Sequence, residues 1–315
     1  MTPPAKPVIA IVGTGAVGAY YGGRLAQHGH DVHSLLRTDY AAVRQNGWTV
    51  RSCDGDFTLP AAAVHAYDDP AKMPKADLVI VTLKTTANDG FEPLIRPLLK
   101  EGTTILTLQN GLGNEERLAE LFGAEKILGG MCFVCINRVE PGVVHHIAEG
   151  TITLGEFRPG ATDRLQRVAD MLRSSKIPAR ALPDLRYGRW EKLVWNIPFN
   201  GLSAVLDQTT DLLIGTPAGE ALVRDIMEEV IAGARAVGVE LPASLIKAKI
   251  DQTRGMGAYK TSMHLDMQAG RAMEIDAIFG FPVRVAQAAG TPVPRLEMLE
   301  RLLRLRDATR GSSPA

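Results

Sequence analysis

Two hydrophobic periods divide this chain. As far as Pro183, short runs of β-favouring residues alternate with segments of helical period: Val8-Ile9-Ala10-Ile11-Val12, Val32-His33-Ser34-Leu35-Leu36, Asp77 to Lys84 and Thr104 to Gly111 are the clearest strands. Strands that alternate with helices call for a parallel sheet. Trp48 to Ser52 and Phe57 to Leu59 flank Asp54-Gly55, a turn signal, and read as a small hairpin inserted in that alternation. A Pro-interrupted helical segment follows from Phe91 to Lys100, then a helix over Asn114 to Phe122 and short strands from Gly130 to about Glu156. Ala161 to Ser175 reads as a helix and Ala179 to Leu182 as a strand. Beyond Pro183 every long pattern is helical: Tyr187 to Leu202, Gly219 to Gly238, Leu245 to Ile250, a helix opened by Glu274, and a last one after Pro292-Val293-Pro294. Thr253 to His264 reads as a loop rich in polar donors. The chain therefore divides into an α/β part, residues 1–183, and an all-α part, residues 184–315.

The first strand breaks at glycine and runs straight into a helix, through Gly13-Thr14-Gly15-Ala16-Val17-Gly18. Gly13 suits the tight turn, Gly15 lets the main chain approach a pyrophosphate, and Gly18 lets the helix pack close to the strand. The phosphate then meets unpaired N–H groups at a helix N-terminus. This makes the α/β part a Rossmann-type dinucleotide-binding domain. Arg37 ends the second strand, where NAD-specific sites carry an acid for the ribose 2′-OH and where an arginine accommodates a 2′-phosphate; NADP(H) is the expected cofactor. Asp39, the nearest competing acid, reads as a first-turn or capping residue of the segment Tyr40 to Arg44. Lys84 and Asn110 close two further strands, at the sheet edge where ligands of open α/β sheets bind, and are also cofactor-site candidates.

Length and charge narrow the partners. A chain of 315 residues is comfortable for two domains, and 35 basic against 35 acidic residues leave no net charge to attract nucleic acid or an anionic membrane. A small molecule is the expected partner. The longest uncharged stretches are cut by Gly, Pro or Asn, so no membrane span is expected; the first seven residues lack an apolar signal core, Arg310 to Ala315 reads as a loose tail, and a cytoplasmic protein is expected. Cys132-Phe133-Val134-Cys135 is a CxxC, but residues three apart on a strand face opposite ways, as do the adjacent His145 and His146. Neither a metal nor a disulfide is expected there, and buried thiols are the reading for the three cysteines.

The second chemistry-bearing stretch opens the helical part. Lys192, Asn196 and Asn200 recur every four residues, one polar stripe on a helix whose other positions, Leu193, Val194, Trp195, Ile197, Phe199 and Leu202, are apolar. Either the stripe faces solvent or it is buried, and a buried stripe needs partners that a ligand can provide. Pro198 removes one backbone bond from this helix. His264, a single imidazole with no identified partner, defines no mechanism by itself.

Together these residues resemble the ketopantoate reductase family over nearly the whole chain. The resemblance rests on the glycine turn, Arg37, Leu108-Gln109-Asn110-Gly111, Trp190-Glu191-Lys192-Leu193 with the two asparagines, and Ser262-Met263 followed by Glu274-Ile275-Asp276. It implies an active site in the cleft between a Rossmann domain and a helical domain. Lys192 is there the general acid; Glu274 and Ser262 engage the substrate, with Asn110, Asn196 and Asn200 lining the same cleft. Glu274 also counts among the cofactor-site candidates. The expected reaction is NADPH-dependent reduction of ketopantoate to pantoate, on the way to pantothenate and coenzyme A. Three departures fall near these motifs: Gly201 where proline is common, Phe279 where asparagine is usual, and Thr210 where some members carry another asparagine. They keep open a reductase or dehydrogenase of another 2-keto or 2-hydroxy acid. A non-catalytic NADP-binding regulatory protein is the reading from a different class. The Gly219–Gly238 helix is a candidate surface for a homodimer.

Overall fold

The computed structural model describes residues 6–310; Met1–Ala5 and Gly311–Ala315, and with them most of the two terminal segments read above, lie outside the described residues. The described residues form two compact units, the first of residues 6–109 and 114–185, the second of residues 110–113 and 186–310.

The first unit is built on β1 (Val8–Val12), α1 (Ala16–Gln27), β2 (Asp31–Leu35), α2 (Tyr40–Asn46), β3 (Trp48–Ser52), β4 (Phe57–Leu59), β5 (His65–Tyr67) and β6 (Leu78–Val81). It continues with α3 (Phe91–Ile95), β7 (Thr104–Thr107), α4 (Asn114–Phe122), β8 (Ile127–Glu140), β9 (Val143–Glu156), α5 (Asp163–Ser174) and β10 (Ala179–Ala181). The strands make one sheet in the order β4-β3-β9-β8-β7-β6-β1-β2-β5, with β10 beside β9. From β5 to β8 every neighbouring pair is parallel.

Residue alternation explains why β1 and β6 are apolar throughout and why β7 is apolar at its centre, between Thr104 and Thr107. Ile9, Ile11, Leu78, Ile80 and Leu106 enter one core with Tyr20, Tyr21 and Leu25 of α1 and Leu165, Val168 and Leu172 of α5. Ala10, Val12, Val79, Val81 and Ile105, one residue out of phase, enter a second core with Phe91 and Ile95 of α3 and Leu118 and Phe122 of α4. Both faces of the sheet are thus covered by helices, which a parallel sheet requires.

Three details differ from the sequence reading. The short strands expected from Gly130 to Glu156 are two antiparallel strands of 14 residues each, β8 and β9, with register shifts at Phe133/Val134, Cys135/Ile136 and Arg138/Glu140. Those irregularities interrupt the period-2 pattern, so the sequence looks broken where the strand continues. The β3–β4 hairpin forms as expected, in the register Trp48↔Leu59 and Val50↔Phe57. It is not a separate insertion, because β3 also pairs in parallel with β9 and extends the main sheet. The helical pattern over Phe91 to Lys100 ends as α3 at Ile95, and a single 3-10 turn, Arg96–Leu98, holds Pro97.

The second unit comprises α6 (Leu185–Leu206), α7 (Thr210–Ile214), α8 (Pro217–Ala236), α9 (Ser244–Arg254), α10 (Ser262–Gln268), α11 (Phe281–Ala288) and α12 (Pro294–Ala308), with a π-helical turn over Asp276–Gly280 leading into α11. Trp190, Leu193, Val194, Ile197 and Phe199 of α6 form its core with Val223, Ile226, Met227 and Val230 of α8 and Leu296, Leu299 and Leu303 of α12. The apolar side of α8, the candidate dimer surface, is therefore internal. The expected loop from Thr253 to His264 is shorter: α9 runs to Arg254, and Ser262 and His264 stand in the first turn of α10, whose N-cap Thr261 accepts from the His264 amide at 3.2 Å. No described helix is long and apolar enough to cross a membrane.

One buried carboxylate joins two of these helices. The N-terminus of α12 has no cap from its own N-cap residue, Val293. Glu229 of α8, 7% exposed, caps it instead, accepting from the amides of Arg295 at 3.1 Å and Leu296 at 2.9 Å and from Arg295 Nη1 at 3.1 Å. Removing the acceptor leaves buried N–H groups unsatisfied, at about 1–3 kcal/mol. Glu229→Ala is expected to lower the stability of the second unit by about that amount or somewhat more, since a charged partner is also lost. Urea unfolding followed by the tryptophans, all but Trp48 being in this unit, measures it; a change below about 0.5 kcal/mol, the scale of ordinary surface substitutions, contradicts the role.

Candidate active site

In the first unit, β2, β1, β6 and β7 are adjacent and parallel, so their carboxyl ends share one edge of the sheet. Gly13–Gly18 follows β1, Arg37 follows β2, Lys84 follows β6 and Gln109 follows β7. The fold brings Gly13–Gly18, Arg37 and Lys84 to a common edge, at the point where strand order reverses about β1, whereas the candidate Asn110 belongs to the second unit.

Local geometry there fits a dinucleotide. Gly13 has φ +96°, a left-handed conformation, and a Cβ on it would stand 2.5 Å from the Leu83 amide nitrogen. A Cβ on Gly18 would meet Thr82 Oγ1 at 2.5 Å, so α1 lies against the end of β6. Gly15 is exposed, with nothing within 4 Å of where a Cβ would stand. The N-terminus of α1 carries no side-chain cap and no acid in its first turn. Ala16 and Val17 complete that turn, so its positive end faces no protein carboxylate from its own first residues.

Thr14 and Thr82 hold the turn in place. The Thr14 hydroxyl donates to the Leu35 carbonyl, and Thr82 Oγ1 donates to the Gly13 carbonyl at 2.7 Å. Thr82 was not among the sequence candidates, because a threonine at a strand end gives no pattern by itself. Nor was the amide chain that follows β7, in which Thr107 Oγ1 donates to Gln109 Oε1 (2.9 Å), Gln109 Nε2 to Asn88 Oδ1 (2.8 Å), and Asn88 Nδ2 to Asn114 Oδ1 (2.9 Å).

Arg37 is exposed and Lys84 is exposed. Asp39 precedes α2 as its N-cap, yet its side chain caps nothing. The carboxylate is 4% exposed and accepts from Arg138 Nη1 and from the Gly142 amide (3.3 Å), both at the β8–β9 turn, and from the Thr38 hydroxyl. The acid closest to Arg37 in sequence is thus already engaged by partners inside the protein.

Segment 110–113 belongs to the second unit. Gly111 has φ +80°, a Cβ on it would stand 2.3 Å from the Ala277 carbonyl oxygen, and that same carbonyl accepts from the Leu112 amide at 2.8 Å. This fixes Asn110, whose Oδ1 accepts from Lys192 Nζ at 2.8 Å. Lys192 is half-buried, Asn196 is 7% exposed and Asn200 3%. The stripe on α6 is therefore not a solvent face.

Glu274, 5% exposed, precedes the π-helical turn, and Ser262 is exposed at the start of α10. His264 is 1% exposed, and its Nε2 lies 2.7 Å from Asp207 Oδ1, just past the end of α6. That hydrogen bond first, and a second from Gln268, hold the Asp207 carboxyl below the usual carboxylate range. His264 so positioned ties α10 to α6. Asp276 is likewise held low by Arg284, with burial opposing.

The departures at Gly201 and Phe279 turn out to be one packing unit. Phe279 is 0% exposed in the core, and a Cβ on Gly201 would stand 2.5 Å from Leu299 Cδ2 and 3.0 Å from Phe279 Cε1. The missing side chain at 201 makes room for the large one at 279. Thr210, also 0% exposed, donates its amide to the Tyr259 carbonyl at 3.0 Å and anchors the loop before α10.

Comparison with known proteins gives a consistent result. The family described as Ketopantoate reductase PanE/ApbA matches residues 9–159, and Ketopantoate reductase PanE/ApbA C terminal matches residues 184–307. The chain is 46% identical over 303 residues to a 2-dehydropantoate 2-reductase of Nostoc sp., covering 95% of this chain and 94% of that protein. It is similar to the crystal structure of 2-dehydropantoate 2-reductase from Geobacter metallireducens GS-15, with 52% identity, a TM-score of 0.92, and coverage of 94% of this chain and 99% of that one. The corresponding structure from Methylococcus capsulatus has 32% identity, a TM-score of 0.88, and coverage of 97% and 98%.

The positive φ of Gly111 and its contact with Ala277 together leave no room for a side chain. Gly111→Ala is expected to cost about 1–3 kcal/mol through backbone strain, more if the Ala277 carbonyl must move. A melting temperature unchanged from the parent's is the result that would contradict it.

Proposed function

This chain belongs to the ketopantoate reductase family, and on that premise we propose that it reduces ketopantoate to pantoate with NADPH, supplying the pathway to pantothenate and coenzyme A. The observation that carries this reading is the 2.8 Å bond from Lys192 Nζ to Asn110 Oδ1, on a helix face that continues into two buried amides. In this reading residues 1–183 hold the cofactor and residues 184–315 the substrate.

Gly13–Gly18 would hold the pyrophosphate at the α1 N-terminus, and Arg37 would pair with the 2′-phosphate, a planar, charge-assisted contact. Lys84, Asn110 and Glu274 are the further cofactor contacts in this assignment. The chemistry the cofactor supplies when bound is hydride donation to the ketone carbon. Negative charge then develops on the substrate's ketone oxygen, and this position needs first a positive group and then a proton. The Lys192 ammonium provides both, with Asn110 accepting one of its N–H bonds and so fixing where the others point. Asn196 and Asn200 orient substrate oxygens; their burial means that each amide needs a partner, from the protein or the substrate. Glu274, an acceptor, takes the substrate hydroxyl, and Ser262 the carboxylate.

The packing of Phe279 weighs against a different 2-keto acid. The side chain fills the core beside Gly201 rather than standing at a solvent-accessible surface, and Thr210 is occupied in holding its loop. A non-catalytic NADP-binding protein has no use for a lysine–amide pair beside buried asparagines. A cytoplasmic, homodimeric enzyme completes the proposal. Met298, Leu302 and Leu305, 53%, 39% and 67% exposed along one side of α12, are better placed than α8 to serve such a dimer.

Three measurements test this assignment. Arg37→Ala is expected to weaken NADPH binding far more than NADH binding, as read by fluorescence titration of the two cofactors; equal losses, or a parent protein that favours NADH, would overturn the 2′-phosphate role. Lys192→Ala should cut turnover of ketopantoate by about 10²–10⁴-fold and leave NADPH affinity nearly intact. If a panel of 2-keto acids shows another substrate turned over faster by the unmutated protein, the substrate assignment fails while the reaction class stands.

A further inference from the structure

The parallel pairing of β2 with β5 sets His33 directly beside His65, and Asp31, two residues before His33, lies on the same face of β2. β5 is the last strand of the sheet and only three residues long. Here His33 Nε2 lies 3.0 Å and His65 Nε2 3.8 Å from Asp31 Oδ1, and the three ligand atoms fall within 4.8 Å of one another. In a tetrahedral zinc site with bonds of about 2.0–2.1 Å, neighbouring N and O ligand atoms stand about 3.3–3.5 Å apart. The observed separations bracket that value.

The surroundings complete the arrangement. Tyr67 Oη is 2.9 Å from His33 Nδ1, so an ion on Nε2 leaves the ring proton on Nδ1 to donate to the phenol oxygen, the outer-shell contact that orients metal-bound histidines. The titratable groups that face His33 are Asp31, His65 and Tyr67. The two imidazoles are stacked, with centroids 4.7 Å apart and planes at 14°, so convergence on one ion requires one ring to turn. His65, 55% exposed in its side chain, has the room.

We propose that Asp31, His33 and His65 form a binding site for a divalent transition-metal ion of the zinc class, with solvent water as the fourth ligand, clamping the edge strand β5 to β2. It lies at the amino end of β2, whereas Arg37 follows the carboxyl end, so this site is separate from the candidate cofactor residues. A second cluster, Cys53, Asp54 and His146, is less suited. His146 Nδ1 is already 2.8 Å from Ser52 Oγ, and Arg24 Nη2 donates to that same hydroxyl at 3.0 Å, placing a guanidinium against any incoming cation.

Calorimetric titration of the full chain with Zn²⁺ alone, after chelator treatment, tests the proposal. One equivalent is expected to bind and to raise the melting temperature. His65→Ala should lose more than the roughly 10–100-fold in affinity that removal of an outer-shell partner costs, and should no longer be stabilised by the ion. Cys53→Ser should bind as the parent does, and His65→Ala should keep the parent's turnover. Absence of binding to the parent, unchanged affinity in His65→Ala, or loss of binding in Cys53→Ser would each overturn it; the last would move the ion to the second cluster.

Discussion

The contact between the Leu112 amide and the Ala277 carbonyl determines where the proposed general acid finds its partner. Gly111, at φ +80°, presses the backbone onto the same carbonyl, and the segment that begins with Asn110 is thereby made part of the helical unit although it follows a strand of the sheet. Asn110 can then meet Lys192, whose own position is set by α6 and the core residues around it. The arrangement is rigid for a physical reason. A side chain at 111 has no space, and a shift of the segment breaks a buried backbone bond.

The helical unit shows how a buried polar stripe is tolerated. Apolar burial of Leu193, Val194, Ile197 and Phe199 holds α6 in the core, each side chain contributing about 1.5–3 kcal/mol relative to exposure, and Asn196 and Asn200 are carried into the interior with them. Without partners two amides would each cost about 1–3 kcal/mol, comparable to one core residue. Glu229 works on the same terms: a buried carboxylate is acceptable because three N–H donors converge on it.

Much of this was legible in the sequence because the decisive signals are periodic. Uninterrupted apolar runs pointed to the central strands, the glycine turn to the strand–turn–helix unit proposed to hold the dinucleotide, and the four-residue repeat of Lys192, Asn196 and Asn200 to the buried polar face. Where alternation is disturbed the reading failed: the irregular register of β8 and β9 hid two long strands, and the first turn of α10 looked like loop because Gly255 and Gly257 precede it. Contacts distant in sequence left no local trace. Nothing near Thr82 indicates that it holds Gly13, and nothing at position 201 announces that its missing side chain accommodates Phe279. Read singly, Gly201 and Phe279 suggest an altered pocket; read together they are a volume exchange inside the core.

The ion pair of Asp39 with Arg138 bears on how cofactor preference can drift. The carboxylate stands two residues beyond Arg37, and what withholds it is a guanidinium from a hairpin about a hundred positions further along the chain. If the 2′-phosphate is read by Arg37, exchanging that arginine removes one recognition element without supplying its opposite, since the acid that could take a ribose hydroxyl is still engaged. Position 138 must change as well, and its change alone would leave a buried charge uncompensated. On this assignment the two positions are coupled: exchanging Arg37 alone removes a recognition element, and exchanging Arg138 alone takes the cation away from a buried carboxylate.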